Sequence, residues 1–246
     1  MANDYLELSH ASDERRDVAL TAELLGYAAL ASGNYERAAT LANEARDQFQ
    51  DLGELWLAGA TSADMGMAAY GQGDLAGAEA LLLDALARFR AIGDEMYPFG
   101  LVNHLGLIAC ERGDRGGAAA QLLESIALLR RFGLDERLHK WLIAVAVVAA
   151  ACEEPDLAGR LYGAANAQRE ELGHALVLPE RAIYERGLEP ARAALGEAAF
   201  AATVEAGRGV RPTQAVVEGE AFLVSIASPS HTEAFHDAAV VAGPAP

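Results

Sequence analysis

Apolar residues recur along this chain at helical spacing, in stretches cut at regular intervals by glycine. Leu20, Leu24, Tyr27 and Leu30 mark a first stripe, which stops at Ser32-Gly33-Asn34. Later stripes run through Leu41, Ala45, Phe49 and Leu52, through Leu81, Ala85, Phe89 and Ile92, and through Leu122, Ile126 and Leu129. Steps of three and four place each set on one face of an α-helix, and no strand-length window alternates. The breaks are periodic. Gly26, Gly66 and Gly106 stand forty positions apart, as do Gly33, Gly73 and Gly113, and so do Gly53, Gly93, Gly133 and Gly173. Ala38, Ala78, Ala118 and Ala158 keep the same step. Such a period without a strand signal predicts stacked helical hairpins.

The turn residues explain the breaks. Gly33-Asn34, Gly73-Asp74 and Gly113-Asp114 each pair a helix-ending glycine, free to turn left-handed, with a side chain able to cap the next helix. Leu52-Gly53, Ile92-Gly93, Phe132-Gly133 and Leu172-Gly173 supply the alternate stops. The periodic alanines belong where the two helices of a hairpin touch, because a larger side chain there overpacks the contact by about 1–3 kcal/mol. A fourth unit is degenerate: Ala146 takes the glycine position and Glu153-Glu154-Pro155-Asp156 replaces the turn, with Pro155 breaking the helix.

These signals divide the chain. Residues 1–13 form a polar lead-in, with the first helix capped by Ser12 or Asp13, and residues 14–173 form the repeat array. Residues 174–226 supply capping helices: one from Pro179 through Tyr184 and Leu188, interrupted by Gly187 and Pro190; one from Glu197 to Arg208; one from Pro212 to Ile226. Residues 227–246, rich in Ser, Pro, Ala and Gly, form a flexible tail. The predicted fold is all-α, a right-handed superhelix of about four hairpins closed by those helices.

Net charge narrows the partners. With 19 Lys and Arg against 36 Asp and Glu, the chain carries −17. That surface repels phosphate backbones, so direct nucleic-acid binding is not expected, and the charge serves solubility. Cys110 and Cys152 fit small apolar positions in a reducing compartment. The start, MANDYLELSHASDERRD, lacks a basic leader with an apolar core, and the apolar run Trp141–Cys152 is too short for a bilayer. A cytoplasmic location without membrane contact follows as the expectation.

At this point the residues resemble a tetratricopeptide-repeat array of the longer kind. The pattern stands as Leu25-Gly26, Ala29, Gly33-Asn34 and Ala38; then Met65-Gly66, Ala69, Gly73-Asp74 and Ala78; then Leu105-Gly106, Ala109, Gly113-Asp114 and Ala118. Further on, Arg160-Leu161-Tyr162-Gly163-Ala164-Ala165, Arg169, Leu172-Gly173, Pro179-Glu180-Arg181, Tyr184-Glu185, Ala191-Arg192-Ala193-Ala194-Leu195-Gly196 and Phe200 are similar to a second block. That block closes the repeat regions of large bacterial signal-transduction ATPases and LuxR-type transcriptional regulators, often actinobacterial. The resemblance implies a sensor or interaction arm. No Gly-x4-Gly-Lys-Ser/Thr phosphate loop and no basic recognition helix is present, which departs from the intact regulators.

Carrying the repeat register over, the candidates for a concave partner-binding groove are Glu23, Tyr27, Leu30, Met67, Tyr70, Asn103, Leu107, Glu111 and Lys140. Tyr, Met and Asn mixed with carboxylates suit a peptide or helix. No catalytic residue, cofactor or metal ligand set is expected. His104 and His139 read as isolated helix-face residues, and His231, Glu233, His236 and Asp237 lack ligand spacing. The functional expectation is a non-catalytic protein- or peptide-binding domain, or a sensor of a small-molecule effector, in bacterial signalling or transcription control. The alternative is an assembly or homodimerisation scaffold whose groove holds its own tail or a second copy.

Overall fold

The computed structural model describes residues 2–176 and 178–227, all of whose regular structure is helical. Eleven α-helices follow one another there: α1 Ala2–Ala31, α2 Tyr35–Asp51, α3 Leu55–Gly71, α4 Leu75–Ala91, α5 Pro98–Glu111, α6 Arg115–Phe132, α7 Leu138–Ala151, α8 Pro155–Glu171, α9 Leu178–Leu195, α10 Glu197–Arg208 and α11 Pro212–Ile226. A 3-10 turn, Asp135–Arg137, leads into α7. The chain divides into two compact units, one of residues up to Leu101 with Leu176–Ile183, the other of Val102–Ala175 with Tyr184 onward.

In the first unit neighbouring helices pack in sequence, α1 on α2, α2 on α3 and α3 on α4, with α3 also reaching α1. The periodic small residues make this possible. A Cβ built on Gly26 would meet the Ala38 carbonyl at 3.6 Å, and one on Gly66 the Ala78 carbonyl at 3.4 Å and Leu82 at 2.9 Å. Ala38 and Ala78 are themselves buried. Each hairpin therefore closes on a glycine set against an alanine, as the forty-residue register predicts. Phe49 and Phe89, repeat equivalents, are fully buried.

The second unit repeats the contact and then departs from it. A Cβ on Gly106 would meet the Ala118 carbonyl at 3.3 Å and Leu122 at 3.1 Å. α7 packs on both α6 and α8, and α11 lies over α6, α7 and α8. This enclosure explains why residues 141–150 are apolar all round: every one is buried. The Trp141 indole N–H donates to the Leu122 carbonyl at 2.7 Å, and its ring edge sits where Gly219 leaves room. α10 packs on α8 through Gly159, Gly163 and Gly207, at an approach so close that a Cβ on Gly163 would fall on the Val204 carbonyl.

The turns follow one design. The amides of Asn34, Asp74 and Asp114 reach back to the carbonyls of Ala29, Ala69 and Ala109 at 2.9–3.0 Å. Their side chains accept from Arg37, Gly77 and Gly117 N–H groups, capping the next helix. Glu154 makes the same backbone bond to Ala149, but without a side-chain cap; Pro155 opens the helix instead. The glycine position before it is Glu153, which adopts φ 64, the left-handed value that Gly33, Gly73 and Gly113 take at 78, 81 and 80. The fourth turn thus keeps its shape although its sequence has lost the glycine.

Two helix boundaries and one buried position differ from the sequence reading. α1 is already helical from Ala2, well before Ser12 or Asp13, so neither starts it. α9 runs unbroken through Gly187 and Pro190. Gly187 is small because a Cβ there would strike Val147, not because the helix ends. On α4 the fully buried leucine is Leu82; Leu81 is half-buried and Ile92 exposed. Leu82, not Leu81, is the repeat equivalent of Leu122. The tail from residue 228, with His231, Glu233, His236 and Asp237, lies outside the described residues.

Candidate partner-binding surfaces

The nine groove candidates fall into both units, Glu23, Tyr27, Leu30, Met67 and Tyr70 in the first and Asn103, Leu107, Glu111 and Lys140 in the second. In the first unit the apolar members pack inward. Leu30 joins Ala29, Ala38 and Ala68 in a core cluster against which Met67 rests, and Tyr70 is fully buried. Leu30 and Tyr70 present no face able to anchor a partner, and Met67 is half-buried. The helical register gave their spacing along α1 and α3 but could not tell an outward turn from an inward one.

Glu23 and Tyr27 remain at the surface, one turn apart on α1, with Tyr27 46% exposed and Glu23 half-buried. The structure adds a residue that the sequence reading passed over. Asp64, the sole charged residue of α3, is half-buried, and its carboxyl is pushed up to about 7 by desolvation and then by the Glu23 carboxylate. Burial also raises the Glu23 carboxyl. The Tyr27 phenol is raised by burial first and then by the carboxylates of Asp64 and Glu180. Among the described residues, the charges acting on Asp64 and Tyr27 are carboxylates. One carboxylate inside an otherwise uncharged helix was a signal available in the sequence.

In the second unit Asn103 and Leu107 are core residues. Asn103 donates through Nδ2 to the Lys140 carbonyl at 3.3 Å, while its Oδ1 meets no protein donor. Glu111 is exposed but engaged by Arg186 at 2.8 Å. Lys140 is half-buried and lines a concavity of ≈ 460 Å³ together with Glu136, Arg137, His139, Gly173, His174 and Ala175. His139 is not isolated after all: its ring centroid lies 5.2 Å from that of His174. Sequence spacing hid this pair because the partners are joined by the hairpin of α7 and α8.

A third surface was not foreseen. Trp56, Phe89 and Tyr97 form an aromatic cluster in the first unit, with Trp56 edge-on to both partners. The Trp56 indole donates to Asp94 at 2.8 Å. Burial alone would raise the Asp94 carboxyl, but the Tyr97 amide, the Trp56 indole and the Met96 amide outweigh it and hold it low. Leu55, Trp56 and Met96 are 49%, 42% and 53% exposed.

The chemistry of the remaining groups is quiet. Burial pushes the Cys110 thiol up to about 12, with Cys152 and Glu111 adding to it against Arg115, and burial also raises Cys152. Neither has the lowered pKa of a nucleophile. Among the described residues no cluster of His, Cys, Asp and Glu is arranged to hold a metal ion, and no helix is long and apolar enough to cross a membrane. Compared with family models, curated proteins and solved structures, the chain matches none.

Proposed function

We propose that this chain is a non-catalytic recognition domain of tetratricopeptide type, the regulatory repeat region of a bacterial signalling or transcription-control system. Its helix pairs stack as a right-handed superhelix, and the α1–α3 face of the first unit takes a basic side chain of a protein or peptide partner. The observation that supports this reading is Tyr27 set beside Glu23 and Asp64. An exposed ring flanked by these carboxylates favours a guanidinium or ammonium over its face, and bringing that cation in returns Asp64 to its ionised form. Partner binding then favours one arrangement of the helix pairs over others, which is how a repeat region passes a signal without chemistry.

The test is co-purification from the native host with Glu23→Gln and Tyr27→Ala variants, both at surface positions. The same partner should be recovered at several-fold lower yield while the melting curve stays in place. Undiminished recovery from both variants would remove this face from the function. Tyr70 and Asn103 are poor test positions, since both are buried and report on folding.

The exposed Leu55, Trp56 and Met96 favour a second reading, self-association as a homodimerisation scaffold. Sedimentation of the wild type and of a Trp56→Glu variant distinguishes it: a dimer lost in the variant supports the scaffold.

A further inference from the structure

We infer that the concavity over the start of α7 in the second unit is a binding site for an oxyanion, the phosphate or carboxylate group of a ligand. Its place in the repeat is informative. Positions 16 and 54 are tied by an Arg16–Glu54 ion pair at 2.7 Å, and their equivalents one repeat on, Trp56 and Asp94, by a hydrogen bond at 2.8 Å. Two repeats further along, the same register gives Glu136 and His174. Here the tie is replaced by a space of ≈ 460 Å³, inside the range of about 300–1,000 Å³ typical of small-molecule sites.

The lining inverts the character of the molecule. Lys140 is the only lysine of a chain with net charge −17, and it shares this concavity with Arg137 and the imidazoles of His139 and His174. The single carboxylate present, Glu136, leans on its neighbour Arg137 at 3.8 Å, both largely in solvent. Arg137 and Lys140 bring permanent charge, and the His174 ring can add a directional donor, a set suited to an anionic oxygen; the His139 Nδ1 is already taken by the Glu136 carbonyl. His139, Glu136 and His174 do not form a metal-ligating group.

The walls are already held in place. The His139 ring is 99% buried by an exposure of 1%, with its Nδ1 on the Glu136 carbonyl at 2.9 Å. Gly173 turns the chain at φ 67, and Arg169 donates to the His174 carbonyl at 2.9 Å. Gln168 donates to the Asp135 carbonyl at 2.8 Å, tying α8 to the turn before α7. Binding costs little ordering when both rims are fixed in advance.

The experiment is an NMR titration of the full chain with inorganic phosphate and, separately, acetate, at constant pH and ionic strength, following the imidazole signals of His139 and His174. Saturable shifts are expected with at least one of the two anions. Phosphate alone points to a phosphorylated ligand, and both together admit a carboxylate. Lys140→Met and Arg137→Gln should each weaken binding about tenfold; Arg137 is exposed, so its variant keeps the fold if the lysine variant does not. Linear, unsaturated shifts with both anions, or unchanged affinity in Arg137→Gln, would overturn the assignment. Neither result bears on the α1–α3 face of the first unit, which is tested by its own variants.

Discussion

Asp64 holds a strongly perturbed carboxyl, raised first by burial and then by Glu23. Its folded pKa of about 7 lies above its ordinary 3.8, so the folded state binds the proton more tightly than the unfolded chain. The stability this proton confers is whole below about pH 4 and is lost as pH rises through 7. Asp64→Asn should therefore be more stable than wild type at pH 8, by on the order of 2 kcal/mol, and near neutral at pH 4. Urea melts at the two pH values check it, and an equal effect at both would mean that Glu23 and burial do not act as described. Glu153 offers a second single-residue test. A side chain at φ 64 costs about 1–2 kcal/mol, part of which glycine returns as unfolded-chain entropy. Glu153→Gly should thus gain about 0.5–1 kcal/mol in the same melts, and a loss would show that the glutamate stabilises the turn in some other way.

At the scale of helices the decisive quantity is how closely two backbones approach. The α8–α10 crossing is limited by main chain, since a Cβ on Gly163 would lie on the Val204 carbonyl, whereas one on Gly66 meets the movable end of Leu82. Gly163→Ala should accordingly cost more than Gly66→Ala, with the former at about 2 kcal/mol or above. Comparable losses in thermal melts would contradict the assigned crossing. The leucine register gives a parallel comparison on α4. Leu82→Ala should cost about 2–5 kcal/mol and Leu81→Ala distinctly less, because only Leu82 is fully enclosed. Denaturant titration of the pair decides it, and a reversed order would shift the helix by one residue.

Across the whole chain, what the sequence reveals depends on whether local chemistry or long-range packing decides. Helix class, the turns and the glycine–alanine crossings were legible, because Gly33-Asn34, Gly73-Asp74 and Gly113-Asp114 carry their own conformational instructions. The unbroken α9 was not, since close approach of Val147 explains Gly187 and the helix continues through Pro190. Site residues were harder still. Period forty assigns a residue to a helix and a level, but rotation of the helix by a fraction of a turn separates buried Tyr70 from exposed Tyr27. His174 met His139 only through the fold of a hairpin. The enclosure of α7 also has a cost for shortened chains: ending before Pro212 removes the cover from Trp141 and Val145. A chain stopped at residue 211 should aggregate at concentrations where the full chain stays dispersed, as light scattering would show.

Each unit happens to hold one indole, Trp56 partly open to solvent and Trp141 fully enclosed. The chain therefore carries two native fluorophores in contrasting surroundings, one accessible to a collisional quencher and one shielded from it. Fluorescence recorded with and without acrylamide can separate the loosening of one half from that of the other, without a label or an added cysteine.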